Sequence, residues 1–337
     1  MNHAVQPNRS WLVTGGSGFI GTNLIDNLVK NGKTVRNVDI ARPQIDQHLP
    51  LWNELDINDK ASLKRVMLET SPDVIVHLAA VANFDDALSK LMHVNVEGTK
   101  NVLDCALEIN LGRLIIASTQ YVNGPGKPYD DDLVHHPVND YSKSKAEMET
   151  LVRRSEYERL DWVIIRPTNI WGPYHPRFPT QLWKYMKRGL YLHPMGPPIR
   201  RSYGYVGNIV KQIQILADAL SARVRHRVFY VSDPPVDSAV ILDAMSMSLR
   251  GKPVRRIPRW ILRGLAHAGD IAKLAGARAP ITSDRYERMT SEHSSRQEEI
   301  WNEFGYSEIP LDEAIGLTTA WLGHSYPHLY SARASAR

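Results

Sequence analysis

Thr14-Gly-Gly-Ser-Gly-Phe-Ile-Gly21 follows an apolar run, Trp11 to Thr14, and precedes the helical pattern Thr22 to Asn31. Gly16-x-Gly18-x-x-Gly21 supplies one glycine for a tight turn, one for close backbone approach to a pyrophosphate and one for close helix–strand packing. The N–H groups at the helix start would then attract phosphate. A glycine turn alone is a weak signal, but here a second strand, Thr34 to Val38, ends in the acid Asp39. An acid at that place accepts hydrogen bonds from an adenosine ribose 2′-hydroxyl and repels a 2′-phosphate. NAD is therefore expected over NADP, although Arg42, three residues on, can bend toward a 2′-phosphate.

Outward from this turn, short apolar runs alternate with helical patterns, the rhythm of a doubly wound parallel α/β sheet. Leu51 to Leu55 reads as a third strand. Val74 to His77, Leu114 to Ala117, Trp162 to Ile165 and Val228 to Val231 read as further strands, with helices over Val94 to Ile109 and Asp140 to Arg159. After Gly172 the prolines 173, 176, 179, 194, 197 and 198 point to irregular connections, followed by helices over Trp260 to Ala275 and Leu311 to Leu322. The expected division is a dinucleotide-binding domain over 1–172 and 203–232, a smaller and mostly C-terminal substrate-binding lobe over 173–202 and 233–330, and a flexible tail over 331–337.

The 337 residues carry a formal charge of +5, enough for mild attraction to phosphates. Apart from Arg255, Arg256 and Arg259 the basic residues are spread out, so no nucleic-acid partner is expected. The single cysteine, Cys105, rules out an intrachain disulfide and fits a reducing, cytoplasmic setting. It lies on a helix and reads as packing. MNHAVQPNRSW has no apolar run, so no secretory leader is expected, and no span of 18 or more apolar residues suggests a membrane crossing. The histidines, among them His135, His136 and His193, lack metal-ligand spacing and read as surface or pocket residues; no metal is expected.

Tyr141-Ser-Lys-Ser-Lys145 places a phenol and an ammonium at i and i+4, on one helix face. A phenol with a pKa near 10 exchanges protons poorly at neutrality, and a neighbouring cation lowers that value. Tyr141 can then act as general acid/base on a substrate oxygen while hydride moves to or from a nicotinamide. Ala117-Ser-Thr-Gln120 puts hydroxyls at the C-terminal edge of the sheet, where Thr119, or failing it Ser118, can hydrogen-bond the reacting oxygen.

Taken in order, TGGSGFIG (14–21), Asp39, Leu55-Asp56-Ile57, HLAA (77–80), NVEGTKNVLDCA (95–106), ASTQYVNG (117–124), YSKSK (141–145) and RPTNIWGP (166–173) resemble the extended short-chain dehydrogenases/reductases, the NAD-dependent epimerase/dehydratase group. The resemblance covers about the first 230 residues, a span typical of one α/β domain with insertions, and implies a Rossmann-type fold and an oxidoreductase or epimerase. It assigns cofactor contacts to Gly15, Gly18, Phe19, Ile20, Gly21, Asp39, Asp56, Ile57, Leu78, Ala79, Ala80, Asn95, Ser118, Tyr141, Lys145, Pro167 and Asn169. Asp56 and Ile57 would border the adenine, Asn95 would hold the helix and an ordered water, and Lys145 would also reach the nicotinamide ribose. Thr119, Tyr141 and Lys145 would form the catalytic set. Asn83, Thr119, Gln120, Asn169 and Arg201 would meet substrate, Arg201 matching an arginine that grips the diphosphate of nucleotide sugars.

The chain departs from the group in having Asn123 where a tyrosine is usual, in the stretch Val81 to Leu91, and in lacking a late Arg-x-Gly-Asp element. Arg256-Ile-Pro-Arg-Trp260 and the helix after it look more like hydroxysteroid-dehydrogenase-like and 4-keto-sugar reductase branches. A nucleotide-activated sugar is the expected substrate, with 4-keto reduction or epimerisation as the reaction. An apolar alcohol is the alternative, and would suit a Trp260–Ala275 helix resting on a membrane surface; packing on the second lobe is the favoured role for that helix. A non-catalytic dinucleotide-binding regulator is a third class, which the Tyr141/Lys145 pair argues against. By resemblance, helices 95–109 and 141–158 would pair two copies into a homodimer.

Overall fold

A computed structural model gives the architecture and describes residues 9–83, 86–109, 111–124, 131–274, 276–277, 279, 281–292, 296–305 and 308–330. The expected tail 331–337 lies outside them. They fall into two compact units, one within Met1–Ile170, Gly204–Asp233 and Ser295–Glu308, the other within Trp171–Tyr203, Pro234–Ser294 and Ile309–Arg337.

The first unit holds β1 (Ser10–Thr14), β2 (Thr34–Asp39), β3 (Trp52–Glu54), β4 (Val74–His77), β5 (Arg113–Ala117), β6 (Trp162–Pro167) and β7 (Val228–Val231). They form one sheet in the order β7-β6-β5-β4-β1-β2-β3. Every pairing is parallel. β4, β5, β6 and β7 are buried along their whole length, as a sheet covered on both faces requires. Its helices are α1 (Phe19–Lys30), α2 (Lys60–Thr70), α3 (Leu88–Met92), α4 (Gly98–Glu108), α5 (Asp140–Val152) and α6 (Val206–Asp218). Leu12, Ile75, Ile116 and Ile164 of the strands share one core with Met67, Val102 and Met148 of α2, α4 and α5. The apolar residues Leu24, Ile25 and Leu28 of α1 and Ile209, Ile213 and Leu216 of α6 are also buried. From β1 the chain builds β2 and β3 to one side, then returns to lay β4 on the other. This reversal opens a crevice at the C-terminal ends of β1 and β4, where ligands of Rossmann-type sheets bind.

Several boundaries differ from the sequence expectation. α1 begins at Phe19 rather than Thr22, directly after Gly18 as N-cap. The third strand shrinks to Trp52–Glu54 because a short helical turn, Asp46–Leu51, precedes it. Helix 94–109 begins earlier, at Leu88, and its middle is a π turn, His93–Glu97. An extra residue in one turn shifts the phase of the apolar pattern, so α3 falls out of register with α4. α5 ends at Val152, not Arg159: Arg154 is extended and Ser155–Tyr157 forms a 3-10 turn. There, burial of Tyr157 and its hydrogen bond to Asp104 Oδ1 (2.8 Å) override helix propensity.

The second unit contains α7 (Ser238–Arg250), α8 (Arg259–Leu274), α9 (Ser283–Thr290) and, after α10 (Glu298–Phe304), α11 (Leu311–Ser325). α10 belongs to the first unit, although the sequence placed it in the second lobe: Glu303 binds Arg227 beside β7 at 2.6 and 2.9 Å. The proline-rich stretch is less irregular than expected. Leu192–Pro194 pairs in parallel with Arg255–Ile257, and Arg200–Arg201 pairs antiparallel with Val236–Asp237. No helix among the described residues is long and apolar enough to cross a membrane.

Candidate active site

The glycine turn closes on itself before any ligand is considered. Gly15 has φ +72° and donates its N–H to Val38 O (2.8 Å), and a Cβ there would sit 2.5 Å from Ala79 N. That contact lays Leu78, Ala79 and Ala80 directly against the turn; Leu78 N–H also donates to Thr14 O (2.9 Å). A Cβ on Gly21 would strike Gly15 O and Gly16, so Gly21 serves the close packing of α1. Gly18 differs. Its φ is ordinary and a Cβ would meet only Gly15 O, at 3.1 Å. The protein itself barely demands glycine at 18, as expected where the demand comes from a ligand approaching the backbone. The helical ladder begins with Thr22 N–H on Gly18 O (2.8 Å), which leaves the N–H groups of Ile20 and Gly21 outside it.

Asp39 ends β2 beside this turn. Its Oδ2 accepts Ser17 N–H (2.9 Å) and its Oδ1 accepts Ala41 N–H (2.8 Å), so the acid fixes the turn while each oxygen keeps a lone pair for a sugar hydroxyl. Arg42 is exposed and engages Asp46 at 3.3 Å. After β3, Asp56 Oδ1 accepts from Asn58 N (2.9 Å) in an Asx turn, and Ile57 is buried against Gly98.

Across the crevice, α5 lies over the end of β5. Its N-terminus is set by a reciprocal cap in which Asn139 Oδ1 accepts Ser142 N–H (2.8 Å) and Ser142 Oγ accepts Asn139 N–H (3.0 Å). Tyr141 lies half-buried in the first turn. One turn on, Lys145 is buried and donates from Nζ to Ala117 O (2.8 Å), the last residue of β5. Burial pulls its pKa down to about 8, with Glu149 opposing the shift. The helix thus brings the Tyr141/Lys145 pair to the strand end that carries Ser118 and Thr119. Thr119 is buried and its Oγ1 accepts Tyr121 N–H (3.3 Å). Ser118 Oγ is buried with no hydrogen-bond partner among the described residues, and both amide atoms of Gln120 share that condition. Gln120 is fully buried. Pro167 closes β6; Asn169 Oδ1 accepts from Tyr121 Oη (3.1 Å). Asn83 is exposed beyond β4. Arg201, in the second unit, donates from Nε (3.0 Å) and Nη2 (2.8 Å) to Ser291 O, which holds the guanidinium in one orientation and leaves N–H groups for an anion.

Three buried side chains support the site: Asn95, which the resemblance had already assigned to holding the helix, and His77 and Glu149, whose roles were not read from the sequence. Asn95 sits in the π turn; its Oδ1 accepts Val81 N–H (2.8 Å) and its Nδ2 donates to Val81 O (3.0 Å) and Ser144 Oγ (2.9 Å). It therefore pins both the segment after β4 and the helix turn between Tyr141 and Lys145. His77, buried at the end of β4, bridges Thr14 Oγ1 (2.6 Å) and Thr99 Oγ1 (2.9 Å). Burial and the nearby Lys145 push its pKa down to about 3, so the ring is neutral. Glu149, one turn beyond Lys145, lies fully buried and accepts from Arg166 Nε (2.9 Å) and Nη2 (2.7 Å), Arg153 (3.0 Å) and His135 (3.2 Å). Burial alone would raise its pKa, but the hydrogen bonds from His135 and Arg166 hold it well below the usual carboxylate range. The i, i+4 step from Lys145 to Glu149 was visible in the sequence; its burial was not. His135 accordingly belongs to an ionic network, and His193 is buried. Cys105 is buried as expected. No group of metal-ligating side chains occurs among the described residues.

The glycine cradle, the acid at the end of β2 and the unpartnered Ser118 hydroxyl suit a dinucleotide laid across β1 and β4. Comparison with known proteins points the same way. The model of the NAD dependent epimerase/dehydratase family matches residues 11–231. A UDP-glucose 4-epimerase of Vibrio cholerae is 31% identical over 264 residues, covering 74% of this chain and 78% of that protein. An N-acetyl-alpha-D-glucosaminyl-diphospho-ditrans,octacis-undecaprenol 4-epimerase of Escherichia coli O157:H7 is 28% identical over 292 residues, 84% of this chain and 86% of that one. Among solved structures, Bordetella bronchiseptica WbmH in complex with NAD+ shares the fold with a TM-score of 0.68 at 23% identity, over 94% of this chain and 99% of that one.

Proposed function

The chain belongs to the NAD-dependent epimerase/dehydratase family, and from that premise we propose that it epimerises or reduces a carbinol or ketone carbon of a nucleotide-activated sugar, with Tyr141 as general acid/base. The observation that carries this reading is the buried Lys145 ammonium, held on Ala117 O one helical turn from the Tyr141 phenol. With a pKa of about 8 it is still mainly charged at neutrality, and it favours the phenolate of its neighbour. Tyr141 then takes the proton from the substrate hydroxyl as the C–H bond breaks, and returns it when a carbonyl is reduced. Bound NAD supplies the two-electron acceptor or donor for the hydride. Thr119 and Ser118 orient the reacting oxygen, and Asn95 fixes the helix that carries the pair.

Asp39 supports NAD over NADP, and Arg42 is engaged in an exposed pair with Asp46. Asp56 and Ile57 border the adenine in this reading. Gly15, Gly18 and the start of α1 take the pyrophosphate, and Ala79, Ala80, Pro167 and Asn169 line the path toward the nicotinamide. Both relatives named above act on a sugar carried by a diphosphate, and the pre-oriented Arg201 guanidinium suits that group. We assign the protein to the cytoplasm as a homodimer paired through α4 and α5.

Tyr141→Phe tests the core of the reading. Turnover of a nucleotide-sugar panel is expected to fall by about 10²–10⁴, while NAD affinity by calorimetry stays within a few-fold. A variant that keeps full turnover would remove Tyr141 from the chemistry.

A further inference from the structure

α8 has two apolar faces, and only one is covered among the described residues. Leu262, Ala266 and Gly269 form the buried face. A Cβ on Gly269 would strike the carbonyl of Ile281, and Asp270 Oδ1 accepts Ser283 N–H at the start of α9 (3.1 Å). These contacts fix the helix against rolling. On the other side Trp260, Ile271 and Leu274 are 76, 69 and 90% exposed. Gly264 and Ala268, also exposed, lie between them. At 3.6 residues per turn, positions 260, 264, 268 and 271 share a strip roughly 80° wide with Leu274 at its edge. A buried tryptophan would need no explanation; one standing three-quarters in solvent at the head of an apolar strip does.

Charge selects the occupant. Residues 250–274 contain seven Lys and Arg against one Asp, Asp270, while the whole chain has 41 Lys and Arg against 36 Asp and Glu. The basic excess of the protein is therefore concentrated around α8, and the lone acid is engaged with Ser283. Arg255 and Arg263 are exposed, with no acidic partner among the described residues; Arg256 is paired with Asp243 at 2.5 Å. A second copy would bring two such basic segments together and repel. An anionic lipid surface meets both features, taking the indole at the headgroup level, the aliphatic side chains just beneath and the guanidinium groups on phosphate.

We propose that α8 docks this protein, as a peripheral partner, on an anionic bilayer surface. The face shares no residue with the dinucleotide site, and the inference stands whether the substrate is a nucleotide sugar or not. Sequence alone favoured packing on the second lobe for this helix; among the described residues that packing uses one face, and Trp260, Ile271 and Leu274 on the other are exposed.

The test is co-sedimentation of the full chain with vesicles of phosphatidylcholine alone and of phosphatidylcholine mixed with phosphatidylglycerol. Binding is expected to the mixed vesicles only, and to weaken as salt rises. Arg255→Glu with Arg263→Glu should lower partitioning by about five-fold or more for each charge removed. Trp260→Ser with Ile271→Ser should abolish binding without changing Tm or NAD affinity, since both side chains are exposed. Failure of the wild type to bind mixed vesicles overturns the proposal. So does retention of binding by the Trp260/Ile271 variant, or a self-association in sedimentation velocity that this variant dissolves.

Discussion

Lys145 holds a charge that its surroundings penalise. Its ammonium has one backbone acceptor, Ala117 O, and is otherwise enclosed, which is why its pKa falls to about 8 from an ordinary value of 10.5. Because the folded state binds its proton less tightly than the unfolded state, the penalty is complete below about pH 8. It fades as pH rises toward the unfolded value. In order of magnitude it amounts to about 3 kcal/mol. Lys145→Met is therefore expected to gain about 1 kcal/mol at pH 7, after the unpaired carbonyl is counted. That gain should disappear by pH 10, while turnover falls by at least about 10². Urea unfolding at both pH values measures it, and a variant less stable than wild type at pH 7 would refute the strain. The i, i+4 spacing of Tyr141 and Lys145 was legible from residue identity. The partner of the ammonium was not, since Ala117 is 28 residues away and meets it only when α5 settles over β5.

The helical run from α3 to α4 shows how one irregular element organises a site. A regular helix would carry the Asn95 amide on the ordinary 3.6-residue phase, whereas the π turn inserts an extra residue around it. In that setting the side chain satisfies both backbone groups of Val81 and still reaches Ser144 on α5. Asn95→Ala is expected to lose about 2 kcal/mol of stability, on the basis of three hydrogen bonds, one buried and two part-buried. It should also lower kcat more than it raises the Kd for NAD, because the residue positions α5 and lies away from the phosphates of the glycine turn. Thermal unfolding and a kcat-against-Kd comparison measure this; an unchanged kcat would show that the bonds serve folding alone. Element type was readable here from the apolar pattern, but the π turn was not. Local propensity does not favour an extra residue in a turn, and only the tertiary bonds of Asn95 make it worthwhile.

At the scale of the whole chain, acid is the expected weakness. His77 and His175 have pKa values pushed down to about 3, and His193 to about 4, each chiefly by burial. Groups that are neutral when folded and readily protonated when unfolded stabilise the protein above the unfolded value of 6.5. That contribution is lost as pH falls toward the folded values. For the fully buried His77 the shift amounts to several kcal/mol in order of magnitude, against a typical total of about 5–15. The Tm is therefore expected to fall steeply between pH 6 and pH 4, and His77→Gln should flatten that slope. Calorimetry across the range checks it, and an unchanged slope in the variant would shift the cause to other groups. The sequence by itself determined the doubly wound α/β class, the glycine turn, Asp39 and the spacing of Tyr141 and Lys145, because each is written in patterns local to the chain. The tertiary structure alone decided that α10 joins the sheet unit, that Gln120 is buried, that Glu149 and His77 are buried beside the site, and that Trp260, Ile271 and Leu274 of α8 are exposed. Those outcomes depend on which distant segments exclude water from a side chain, and local spacing carries no record of that.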